Sequence, residues 1–73
     1  MLVKIDSCNY INLEQVEKIC LAENPFRLDF VMDLKGDSKQ TLVFDSASER
    51  DNFFKEMLHF YDTGSKIFYG PIL

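Results

Sequence analysis

Few side chains in this sequence have the type and spacing that chemistry demands. His59 is the only histidine, and it falls between Glu56 and Asp62. Alone it could act as an acid–base group or as one metal ligand, but a metal site needs several donors, so a solvated position on a helix suits it better. Cys8 and Cys20 are the two thiols, and their separation is not the close spacing of a zinc site. Arg27, Asp29 and Asp33 share one face of an alternating stretch. Side chains two apart on a strand lie about 7 Å apart, so Arg27 and Asp29 can interact; Asp29 and Asp33, about 13 Å apart, cannot work as a catalytic pair. Gly36, Gly64 and Gly70 are isolated and build no phosphate-binding loop. The expectation is a chain with no catalytic residue, no metal ligand and no cofactor, hence not an enzyme, with no small-molecule substrate evident.

The charge points the same way. The net charge is −4, and the eight Lys and Arg are spread without a run among them. Nucleic acids and anionic membranes are recognised by clustered cations, so neither is expected as a partner. The first residues, Met-Leu-Val-Lys-Ile-Asp, show no charged segment followed by an apolar one, and no apolar run approaches the ~20 residues of a membrane span. The expected location is cytoplasmic, where Cys8 and Cys20 stay reduced. With 73 residues the chain is one domain. A domain this small buries only ~60% of its unfolded surface, so contact with a partner helps it.

What positions these residues is a β-hairpin from Phe26 to Phe44. Phe26, Leu28, Phe30, Met32 and Leu34 alternate with Arg27, Asp29, Val31 and Asp33, and Leu42 and Phe44 continue the apolar face in the second arm. Successive strand side chains point to opposite faces, so one face is apolar and must be covered. Gly36 supplies the backbone freedom for the connection between the arms. Upstream, Leu2–Ile5 and Tyr10–Leu13 read as strands flanking the turn Asp6-Ser7-Cys8-Asn9. Asn12 can cap a single helical turn, which makes residues 13–16 a tight corner and 17–22 a strand with Ile19 and Leu21 inward; a continuous helix over 13–22 is the rival reading. Glu23-Asn24-Pro25 is a turn.

Asp45-Ser46-Ala47-Ser48-Glu49-Arg50-Asp51 opens the one clear helix. Ser46 with Glu49 is a capping-box spacing, as is Ser48 with Asp51. The helix runs to about Asp62, with Phe53, Phe54, Met57, Leu58, Phe60 and Tyr61 on an arc of roughly 160° that should lie across the sheet. Gly64 stops it. Residues 1–63 thus form the expected domain, and 64–73 an apolar tail. Ile67, Phe68, Tyr69, Ile72 and Leu73 predict that this tail docks, on its own core or on a partner. On the hairpin's other face Val31, Thr41 and Val43 form a small β-branched patch. Val31, Val43 and the five apolar tail residues are the candidate contact surface. The strand edges at Tyr10–Leu13 and Gln40–Phe44 carry few charges and invite pairing between copies.

The run Tyr10-Ile11-Asn12-Leu13-Glu14-Gln15-Val16-Glu17-Lys18-Ile19, the alternating strand and Gly turn after it, the strand ending Phe44-Asp45-Ser46, and a helix with Glu49, Phe53 and Leu58 resemble small bacterial and phage proteins of PH-like type. The resemblance covers about residues 2–62. It implies an α+β fold: an antiparallel β-meander of four to five strands with one C-terminal helix packed across a face, a PH-like half-barrel. It also implies a module that contacts proteins, since clustered cations for a lipid headgroup are lacking. A non-catalytic interaction module that pairs as a homodimer, or contacts another protein, is the expected function. The alternative is a small acidic inhibitor or regulator, cellular or phage-encoded, of an enzyme or nucleic-acid-binding partner; an unrecognised enzyme ranks third.

Overall fold

The computed structural model describes residues 1–32 and 38–69. Six strands, a short 3-10 turn and one α-helix follow in the order β1 (Leu2–Lys4), β2 (Tyr10–Asn12), the turn Leu13–Gln15, β3 (Lys18–Ala22), β4 (Phe26–Val31), β5 (Lys39–Phe44), α1 (Ala47–Asp62) and β6 (Ile67–Tyr69). The fold is α+β, with the helix across one face of the β3–β4–β5 meander.

Alternation builds the core of that meander as the residue pattern demands. Leu28 lies between Leu21 and Leu42, Phe30 between Ile19 and Gln40, and Phe26 opposite Phe44. Directly opposite residues share a face, so Phe26, Leu28, Phe30, Leu42 and Phe44 point one way, and all but the half-buried Phe26 are buried there. The expected Gly36 connection, with Asp33 and Leu34, lies outside the described residues.

The other strands do not extend this sheet. A single meander of four or five strands was expected, and the described residues form two sheets of three strands, β3–β4–β5 and β2–β1–β6. The corner after β2 separates them. The Asn12 side chain accepts from the Glu14 amide at 3.2 Å and the Val16 amide bonds back to the Leu13 carbonyl at 3.1 Å. One turn is closed, and Val16 is already extended, so the rival helix over 13–22 does not form. In the β1–β2 turn the Asp6 carboxylate accepts from the Cys8 and Asn9 amides at 2.8 and 2.9 Å. The Asn9 side chain, and then the Cys8 amide, hold the Asp6 carboxyl below its ordinary range.

The tail supplies the third strand of the second sheet. β6 pairs with β1 in parallel, Phe68 beside Val3. Parallel neighbours need a long crossover, and everything from β2 to α1 lies between them. The segment from residue 64 onward, expected as an apolar tail docked on its own core or on a partner, thus contains the strand β6. Val3, Ile11 and Phe68 form the inner face of this sheet, and all three are buried.

Helix α1 joins the two sheets. Ser46 caps it, its Oγ accepting from the Glu49 amide at 3.1 Å while Glu49 accepts from the Asp45 amide at 3.2 Å. Gly64, at φ +80°, ends it in a conformation that glycine adopts without a Cβ clash. The Phe53 ring lies 5.4 Å from Phe44 of the meander and 5.2 Å from Phe68 of the second sheet. Phe53 and Met57 are fully buried and Phe54 half so. Leu58, Phe60 and Tyr61 are exposed, although the arc argument placed them inward. The reason is width: α1 lies over β4 and β5, and a stripe through residues 50, 53 and 57 is enough to meet them. Arg50 completes that stripe, buried with its guanidinium donating to the Ala22 carbonyl at 2.8 Å and packed on the Phe26 ring.

Candidate functional site

Three surfaces remain after the core is accounted for. The first is the outer face of β2–β1–β6. Its register puts Leu2 between Asn12 and Ile67, and Lys4 between Tyr10 and Tyr69. These positions alternate with the buried row Ile11–Val3–Phe68, so they point outward together. Leu2, Tyr10 and Ile67 are exposed, and Tyr69 is 59% exposed. The Lys4 ammonium lies 5.7 Å from the Tyr69 ring centre, within cation–π range.

The second is a trough between β3 and α1. Because the helix lies over β4 and β5, the inner face of β3 runs out from under it. A depression of about 340 Å³ opens there, lined by Leu13, Val16, Glu17, Lys18, Ile19, Leu58 and Tyr61. Leu58 is 41% and Tyr61 48% exposed. Tyr61 also borders a more polar hollow with Met1, Leu2, Asn12, Glu14, Gly64, Ser65 and Lys66. In that hollow the Glu14 carboxylate pairs with the Met1 amine, which holds its carboxyl below the ordinary range.

The third is the outer face of the meander. Three rows cross it in register: Lys18–Val31–Lys39, Cys20–Asp29–Thr41 and Ala22–Arg27–Val43. At its centre Asp29 is buried beneath its neighbours, accepting from Thr41 Oγ1 at 2.8 Å and Arg27 Nε at 3.1 Å. Burial pushes its carboxyl upward, but the bonds from Thr41 and Arg27, with the charges of Arg27 and Lys39, outweigh that and hold it below the usual range. Arg27 and Asp29 therefore do pair, as the spacing predicted, but the carboxylate sits under cover rather than in solvent. Its donors neutralise it, which suits a structural role.

The candidate contact residues separate. Ile67 and Tyr69 are exposed on the first surface, while Val31 is half-buried and Val43 60% exposed on the third. Phe68 is a correction: it belongs to the chain's own core, because alternation along β6 turns it inward between its two exposed neighbours. Ile72 and Leu73 lie outside the described residues. Leu2 and Tyr10 were not singled out. Their signal was the alternation Leu2/Lys4 against Val3/Ile5, which becomes informative only once β6 is known to flank β1. His59 is exposed on the polar side of α1 with its ring against Phe60. Cys8 and Cys20 are separate free thiols. Among the described residues no group of His, Cys, Asp and Glu is placed to hold a metal, and no helix is long and apolar enough to cross a membrane.

In comparisons with protein families, characterised proteins and solved structures, nothing matches this chain. The PH-like resemblance gains no support from them.

Proposed function

We propose that this protein is a non-catalytic protein-interaction module that self-associates through the outer face of β2–β1–β6. The observation that carries the reading is the gathering of Leu2, Tyr10, Ile67 and Tyr69 on one sheet face, all exposed, around a single Lys4. Scattered apolar side chains are ordinary on a surface, but contiguous ones mark contact sites. The face suits a second copy of itself. Two such faces meeting across a two-fold set each Lys4 near the other copy's tyrosine rings, a favourable cation–π arrangement. The contact is small, since three strands of three residues span roughly 14 by 10 Å. Stable interfaces cover about 800 Å² per partner. The association is accordingly weak and concentration-dependent. Two free thiols accord with a reducing, cytoplasmic setting.

Sedimentation velocity over a concentration series tests this. The average mass should rise with concentration for the native chain and stay at the monomer value for Tyr69→Lys. Tyr69 is exposed in the monomer, so the variant should fold. A native chain that stays monomeric throughout the series defeats the proposal.

A further inference from the structure

Among the described residues β5 has six residues and pairs only with β4, which leaves its other edge open. The Met32 amide donates to the Ser38 carbonyl at 2.9 Å, one step beyond the Val31–Lys39 pair of the β4–β5 register. Bonded and non-bonded pairs alternate along an antiparallel ladder. Gln40, Leu42 and Phe44 therefore bond to β4, and the amides and carbonyls of Lys39, Thr41 and Val43 face the open edge. Edges are ordinarily blunted by charge, proline or a bulge, and from Gln40 to Phe44 this one carries neither charge nor proline. We propose that β5 pairs antiparallel with β5 of a second copy, about a two-fold axis at Leu42, and joins two meanders into one sheet. The proposal extends the self-association reading to a second contact and does not use the outer face of β2–β1–β6.

Register and charge select a copy of the same strand. Edge-facing residues must meet edge-facing residues, which also keeps the apolar faces of both strands on one side. With Leu42 opposite its counterpart, Thr41 meets Val43 twice. That gives four main-chain bonds and two β-branched cross-strand pairs. The same register sets Lys39, the first residue of β5, opposite Asp45, the residue after its end. Both are exposed, and the exposed Glu49 brings a second carboxylate to that end, accepting from the Asp45 amide at 3.2 Å. The edge is thus basic at one end and acidic at the other, and an antiparallel copy complements it at both. Sliding the pair by two residues loses both charge contacts. Lys39 forms no ion pair among the described residues, although its charge also acts on Asp29. Four bonds between solvent-facing groups and two exposed ion pairs are a small gain against the cost of association. The contact therefore forms at a concentration on the order of 1 mM, above a dilute series in which Tyr69→Lys stays monomeric.

The test follows amide NMR shifts of the isotope-labelled full chain carrying Tyr69→Lys, diluted from about 2 mM. That substitution removes the other contact, so failure here and failure of the face reading are separate results. Concentration-dependent shifts should gather at Lys39–Val43, and tumbling should slow toward that of a dimer at the top of the range. Val43→Pro deletes an edge-facing amide that β4 does not use, and should abolish the dependence. Lys39→Glu and Asp45→Lys each set like charges opposite one another, and each alone should associate at least about tenfold more weakly. An equimolar mixture of the two should regain association, because every opposed pair is then of opposite charge. The amide spectrum of each variant reports that it keeps the fold. Four results would each overturn the proposal: no dilution dependence, shifts centred on Lys18–Ala22 or Tyr10–Asn12, charge variants that associate like the parent, or a mixture no tighter than its components.

Discussion

Among the described residues Asp29 and Arg50 are the two buried charged ones, and each holds one junction. Asp29 ties β4 to β5 through Thr41. Its carboxyl is lowered in the folded chain, so its contribution is complete above the unfolded value of about 3.9 and declines as pH falls through the folded value. Asp29→Asn should therefore cost about 1–3 kcal/mol near neutral pH, by weakening the bonds to Thr41 and Arg27. The gap between variant and native stability should shrink as pH falls below about 4. Urea melts at a series of pH values check this; a gap independent of pH would refute the carboxylate's role. Arg50 ties the start of α1 to the end of β3 and covers the Phe26 ring. Arg50→Ala should cost about 1.5–3 kcal/mol, whereas Arg50→Lys, unable to reproduce the planar fork, should recover only part of that. Thermal melts of the pair separate lost packing from lost bonding.

Among the elements, α1 was the most legible because its start is written in side chains that bond locally. Ser46→Ala should cost about 0.5–2 kcal/mol, while Ser48→Ala, one residue inside the helix and exposed, should cost almost nothing. Equal losses in chemical melts would assign the cap wrongly. The meander was legible for a similar reason: period-two alternation fixes a strand's faces without knowledge of its neighbours. What alternation could not reveal is which strands pair. Leu13–Ala22 held a local ambiguity that Asn12 resolved in favour of the corner. Ile67–Tyr69 was recognisable only as apolar, since its partner β1 lies at the other end of the sequence. Leu58 and Tyr61 were placed inward because a helical wheel has no knowledge of the sheet's width. The candidate surface inherited these gaps: Ile67, Tyr69 and Val43, expected at a contact, are exposed, and the exposed Leu2 and Tyr10 became visible only with the parallel pairing.

For the whole molecule, that pairing of the first strand with the last sets how stability is distributed. β6 closes the second sheet, and Phe68 touches both Phe53 and Phe60 with centroids 5.2 Å away. Phe53 in turn meets Phe44, so one line of rings runs from β6 through α1 into the meander. Removing a buried phenylalanine costs about 3–5 kcal/mol. At 0.05–0.15 kcal/mol per residue a chain of this size has only about 4–11 kcal/mol in total. Phe68→Ala should therefore leave a substantial unfolded population at room temperature, and Phe68→Leu, which retains most of the volume, should lose far less. The informative measurement is where the loss appears. If the ring line couples the two sheets, amide exchange should accelerate in Leu28–Phe30 as much as in Val3, because the only route to exposing either is to unfold both. If instead β6 frays alone, exchange at Leu28–Phe30 should match the native chain while β1 loses protection. The buried position of Phe53 favours the first outcome: it packs against a residue of each sheet, so neither sheet can leave without uncovering the same ring.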